Sequence, residues 1–244
     1  MIFLLFFIPL FAFEKVFINL DKNISIPKLN DKNIKDFSVS YTLTPTKFYI
    51  SKYEITKKEY NEYLKAIHKK PIKIDEDEEN EPITNVSFFE AQEFCRFYKG
   101  RVPTEKEWTI AASVKLAKSK CFEFIKKYIF TPFPTQKYPL APNDPQIKCM
   151  LKEDDEIEPS LIGSEFLEVQ YSYENINGIY GMLGNAFEWV DDKVNYFNHT
   201  FYKIKGGSYN DKNMPVFFDS RVYSLLKPNT KRVNVGFRCV WETK

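Results

Sequence analysis

Three times between Thr56 and Glu107 the chain sets a hydroxyl residue three places ahead of a glutamate: Thr56 with Glu59, Ser87 with Glu90, and Thr104 with Glu107. At that spacing the hydroxyl and the carboxylate each satisfy a backbone N–H that the first turn of a helix leaves without a partner, so a helix is expected to begin at each site. Each box opens an aromatic-rich run. Tyr60, Tyr63, Leu64 and Ile67 recur at helical spacing, as do Phe88, Ala91, Phe94, Cys95 and Tyr98, so both helices should bury one face. Gly100 is placed to end the second helix. Ahead of the helices, Phe17 to Ile50 carries short alternating stretches such as Phe37, Val39 and Tyr41, the pattern of strands with one wet face.

The rest of the chain gives weaker signals. The acidic run Asp75 to Glu81 lacks the central glycine and the closing glutamate of an EF-hand loop, and reads as a solvated loop. From Lys115 to Glu158 prolines cluster around Cys121 and Cys149, which suggests a long irregular excursion. No internal repeat and no linker divides the chain, so its 244 residues are read as one folding unit. With 23 Phe and 15 Tyr against 8 Gly, the core should be built from rings. A net charge of +2 gives no broad electrostatic footprint for nucleic acid or anionic lipid.

Ile2 to Phe13 is an apolar run too short to span a bilayer and followed by polar, charged sequence. It reads as the core of a signal peptide, residues 1–12, with cleavage after Ala12; the alternative is an amino-terminal strand or an uncleaved anchor. Its first residues lack lysine and arginine, and no cysteine follows to take a lipid. After cleavage no stable membrane span is expected. Four cysteines, Cys95, Cys121, Cys149 and Cys239, stand without a C-x-x-C pair and with only two histidines in the chain, which favours disulfides over zinc. Both readings point to a periplasmic or secreted protein.

Five segments occur in a telling order: YEITKKEYNEYL from Tyr53, PITNVSFFEAQEFCRFYKGRVPTEKEW from Pro82, NGIYGMLGNAFEWVDD from Asn177, YKIKGGSYN from Tyr202 and VGFRC from Val235. Together they resemble the formylglycine-generating enzyme, or sulfatase-modifying factor, family. The resemblance implies a single α+β domain over residues 53–244, related to C-type lectin folds and rich in irregular loops, with the strands of residues 13–52 belonging to it. Trp108, Trp189 and Phe237 are expected core rings, and Gly178, Gly181, Gly184, Gly206 and Gly207 are expected at tight turns. It also implies a bridge between Cys95 and Cys239; counting then leaves Cys121 with Cys149.

Enzymes of that family oxidise a sulfatase cysteine to formylglycine with two copper-binding cysteines just beyond the Gly-Gly-Ser block. Here the block is Gly206, Gly207 and Ser208, and the two positions fall on Asp211 and Val216. No cysteine lies between Gly207 and Cys239. A carboxylate does not replace thiolate for Cu(I), so copper is not expected. A calcium site of relatives maps onto Gly181, Gly184, Ala186 and Glu188. Glycine at 181 removes one side-chain oxygen, which leaves two readings open: weakened calcium binding, or a Glu188 that is only a hydrogen-bonded structural carboxylate. Ser208, Tyr209, Asp211 and Phe187 are the candidate pocket, with the alternative that Ser208 caps a turn and Phe187 fills core. His68 and His199 read as packing or surface residues. The leading function is a non-catalytic binding or scaffold protein with an unidentified protein or small-molecule ligand; the alternative is a periplasmic oxidoreductase using non-cysteine chemistry of the siderophore-maturation type.

Overall fold

The computed structural model describes residues 13–26, 41–113, 166–172, 174–175, 177–209 and 222–243. Its helices α1 (Lys57–Ala66), α2 (Phe88–Phe97) and α3 (Glu105–Ser113) start at the three boxes. In each, the glutamate accepts from the cap residue's N–H at 2.8–2.9 Å while the cap hydroxyl accepts from the glutamate's N–H at 3.1–3.3 Å. Ser87→Ala removes one such cap and is expected to cost about 1 kcal/mol. Calorimetry should then record a melting temperature roughly 2–4 °C lower, and an unchanged midpoint would show that the cap contributes nothing.

Gly100 does follow α2, but the left-handed residue is Lys99 at φ 61°. Lys99 N donates to Arg96 O at 2.9 Å and Gly100 N to Cys95 O at 2.8 Å, the two-bond closure typical of a Schellman turn. Glycine is needed at 100 for room: a Cβ would lie 2.7 Å from Val240 O and 2.8 Å from Trp241 Nε1. The acidic run is less solvated than its composition suggests. Glu76–Glu78 forms a short 3-10 turn, Lys57 reaches Glu78 at 2.7 Å and Glu81 at 2.8 Å, and Lys58 reaches Glu79 at 2.8 Å.

The strands fall into three sheets. β1 (Lys15–Leu20), β4 (Thr46–Ser51) and β9 (Val240–Glu242) pair antiparallel with β4 central, joining the two ends of the described chain through Tyr49 opposite Phe17 and Trp241. β2 (Ile24–Ile26) and β3 (Tyr41–Leu43) form a small ribbon. β5 (Phe187–Tyr196), β6 (His199–Lys205), β7 (Ser224–Leu226) and β8 (Val235–Gly236) form the third sheet in the order β7-β6-β5-β8, with β8 parallel to β5. The β5–β6 register shifts between Trp189 and Lys193. That irregularity aims Asp192 at the start of α3, where its Oδ2 accepts from Glu105 N at 2.7 Å.

Rings fill much of the core. Phe94 packs on Tyr60, Tyr63 and Phe237, Phe88 stacks on Tyr202 at 3.7 Å, and Trp108, Trp189 and Phe237 are fully buried. Cys95 and Cys239 are joined by a disulfide in the same cluster. Phe13, the residue after the expected cleavage point, packs against Phe94, Tyr98 and Trp241. Residues 1–12, Phe37, Val39, and the whole 115–158 excursion with Cys121 and Cys149 lie outside the described residues. Among the described residues no helix is long and apolar enough to cross a membrane.

Candidate functional site

The end of β6 runs into Gly206, Gly207 and Ser208. Gly206 has φ +97°, and a Cβ there would stand 3.0 Å from Met182 O and 3.3 Å from the Trp108 ring. Only glycine lets the two loops touch, and they do so through Gly184 N donating to Gly206 O at 2.9 Å. Ser208 is fully buried, and its Oγ accepts from Asn234 Nδ2 at 3.0 Å. The carbonyl of Asn234 accepts from Phe187 N at 3.0 Å, and Tyr209 N donates to Asn185 O at 2.9 Å. The Tyr209 ring meets Phe166 edge-on at 4.5 Å. Ser208, Tyr209 and Phe187 are thus gathered by two asparagines that the sequence motifs did not single out. Phe187 is buried in the core cluster, whereas Asp211 and Val216 lie outside the described residues.

A buried charge cluster backs the Gly-Gly turn. Lys203 and Lys205 project from the same face of β6, two residues apart, and both ammonium groups reach Glu105 at the start of α3; the Lys205–Glu105 distance is 3.1 Å. Lys205, with no exposure at all, also sits 5.5 Å over the Trp108 ring. These groups position the strand end.

The segment Gly181 to Glu188 is the one that resemblance assigns to calcium. Glu188 is fully buried: its Oε2 accepts from Trp108 Nε1 and Arg238 Nε, each at 2.7 Å, and its Oε1 from Arg238 Nη2 at 2.5 Å. Arg238 continues to Tyr180 O at 2.8 Å and Ser51 O at 3.2 Å. Beside them Glu54, also buried, accepts from Asn185 Nδ2 at 2.7 Å and Ala186 N at 3.1 Å. Burial first, and the Glu188 charge second, push the Glu54 carboxyl up to about 8, against the pull of Arg238 and the two hydrogen bonds. These residues do not fit a calcium ion. Both Glu188 oxygens are already engaged by a bidentate guanidinium and an indole, and the cation that balances the charge is the arginine itself.

Nor do the residues fit copper. The cysteines among the described residues are Cys95 and Cys239, both buried and both in the disulfide, and the sequence has no other from Ser208 to Arg238. Among the described residues, then, no free thiolate stands at the turn as a soft ligand for Cu(I) or a nucleophile for thiol exchange. Among the described residues no three of His, Cys, Asp and Glu come together in a way that would hold a metal ion. His68 lies just after α1 and His199 is exposed on β6.

A groove of about 610 Å³ opens elsewhere, between α1 and the segments around Ile72 and Ile83. Asn61 pins one wall by exchanging hydrogen bonds with Ile72 N at 2.8 Å and Ile72 O at 3.0 Å. Tyr60, Leu64, Ile83 and Val86 line it, and Lys69, Lys70 and Lys73 stand exposed at its rim. Lys57 and Lys231 also border it, but they are paired with glutamates.

The fold defines an α+β domain of the sulfatase-modifying-factor type. The chain belongs to that family: residues 30–243 match the sulfatase-modifying factor enzyme 1-like domain. It is 26% identical over 162 residues to the inactive C-alpha-formylglycine-generating enzyme 2 of Bos taurus, an alignment covering 65% of this chain and 49% of that protein. The chain therefore spans about half the length of that curated relative. Among solved structures it is similar to PvdO from Pseudomonas aeruginosa, with TM-score 0.65, 17% identity and 94% of each chain covered. CarF aligns with TM-score 0.61 and 17% identity over 95% of this chain and 99% of that one. Treponema denticola variable protein 1 aligns with TM-score 0.56 and 15% identity over 91% and 94%. At these identities the structural likeness speaks for the fold alone.

Proposed function

We propose that this chain is an exported, non-catalytic member of its family that binds an acidic segment of a partner protein in the groove beside α1. One observation carries the first half of that reading: the chain has no cysteine beyond the Gly-Gly-Ser turn until Cys239, and Cys239 is bonded to Cys95. Formylglycine formation by the family's route needs two free thiols at that turn, and none is supplied. A relative that is itself described as inactive is in keeping with this. A buried disulfide supports an oxidising compartment, and hence export. For the second half, the groove's apolar floor and its lysine rim suit a segment that carries carboxylates beside aliphatic or aromatic side chains.

Two experiments test the halves separately. Incubated with a cysteine-bearing sulfatase peptide, oxygen and Cu(I), the purified protein should give no more aldehyde than a heat-denatured sample. Copper-dependent aldehyde would end the non-catalytic reading. For the groove, a fluorescent peptide alternating glutamate with leucine is the probe. Replacing Lys69, Lys70 and Lys73 together by glutamate should weaken its binding by roughly tenfold or more, as loss and reversal of three rim charges predicts. Equal affinity for the two proteins would show that the groove does not hold such a segment.

A further inference from the structure

The turn from Gly181 to Glu188 is held by side chains that arrive from far along the chain. Glu54 enters from just ahead of α1 and takes the N–H of Ala186 and the amide of Asn185. Arg238 enters from just ahead of β9 and ties Glu188 to Tyr180 O and Ser51 O. Gly181 has φ +67°, and a Cβ built on it would stand 2.5 Å from Glu54 Oε2 and 2.9 Å from its Cδ. An asparagine or aspartate at 181, the side chain that the calcium site of relatives uses, therefore competes with Glu54 for the same space. A guanidinium held by Glu188 also repels a divalent ion arriving beside it.

We infer that the Glu54 carboxyl and the Arg238 guanidinium brace the 181–188 turn in the place of a divalent cation, so that this chain holds the turn without metal. Glycine at 181 is then the counterpart of Glu54. It removes the side chain that would collide with the brace.

The test uses the full chain. Thermal unfolding in about 5 mM calcium should match that in excess chelator within roughly 2 °C, since a ligand stabilises only the state that binds it. Calcium retained after gel filtration should fall well below one ion per chain. A larger calcium-dependent rise, or one retained ion, overturns the inference. Glu54→Ala leaves the buried Ala186 N–H unpaired and Asn185 Nδ2 with only its 3.3 Å bond to Leu167 O, and should lower the midpoint by roughly 5–15 °C, with calcium giving no recovery. Recovery by calcium would also overturn it. Gly181→Asn should cost clearly more in the wild-type background than in the Glu54→Ala background, and equal costs would show that the two side chains do not compete. Should Glu54→Ala fail to fold, the wild-type measurements still decide.

Discussion

Replacing Cys95 and Cys239 together by alanine is expected to lower the stability of this protein by about 5 kcal/mol. The bridge closes a loop with a sequence separation of 144 residues. In the chain-entropy account, the freedom that a crosslink removes from the unfolded state grows with the logarithm of the loop, and this loop takes in more than half of the chain. Both cysteines are fully buried among Phe94, Phe237 and Val102, so the lost sulfur contacts add to the entropic part. For a domain of this size the melting temperature should fall by roughly 10–20 °C. Calorimetry of the double variant and of the wild type measures it, and a fall of less than about 4 °C would show that the bridge adds little. Because the bond is buried, reductant alone should leave it intact in the folded protein and cleave it once denaturant is added. Mass mapping after alkylation distinguishes the two states.

What the sequence revealed depended on the range of each interaction. The helix starts were legible because a capping box is complete within four residues, and all three formed as expected. The end of α2 was legible only in part. Gly100 marks the place, yet the left-handed residue is Lys99, and what demands glycine at 100 is the approach of Val240 and Trp241 from the far end of the chain. The family was legible from five ordered segments, and residues 30–243 match its domain.

The site was legible as a list but not as an arrangement. Ser208, Tyr209 and Phe187 could be named from motifs, but Asn234 and Asn185, which join them, carry no signal of their own. Glu54 reaches Asn185 across 131 positions and Trp108 reaches Glu188 across 80, and no local pattern encodes such pairings. One clue was present. At 181 a glycine stands where relatives use an oxygen-bearing side chain, and the space it leaves is filled by the distant Glu54 carboxyl.

Arg238→Met is expected to cost about 3–5 kcal/mol, because it strands a fully buried Glu188 without its cation. Methionine matches much of the arginine's volume, so the loss is electrostatic and not a cavity. Trp108 Nε1 would remain as a donor to Glu188, but Tyr180 O and Ser51 O would each lose a partner. Glu54, whose carboxyl already feels the Glu188 charge, would lose the Arg238 charge that offsets it. The companion variant Glu188→Gln/Arg238→Met removes the stranded charge and should recover at least half of the deficit, since a buried pair replaced as a unit often costs little. Urea unfolding of the wild type, the two single variants and the double variant gives the coupling directly. If the double variant is as unstable as the sum of the singles, the pair does not act as a unit, and Arg238 serves mainly through the carbonyls of Ser51 and Tyr180. If the single Arg238 variant loses less than about 1 kcal/mol, the interior around Glu188 is wetter than its burial implies, and the arginine is not what neutralises that carboxylate.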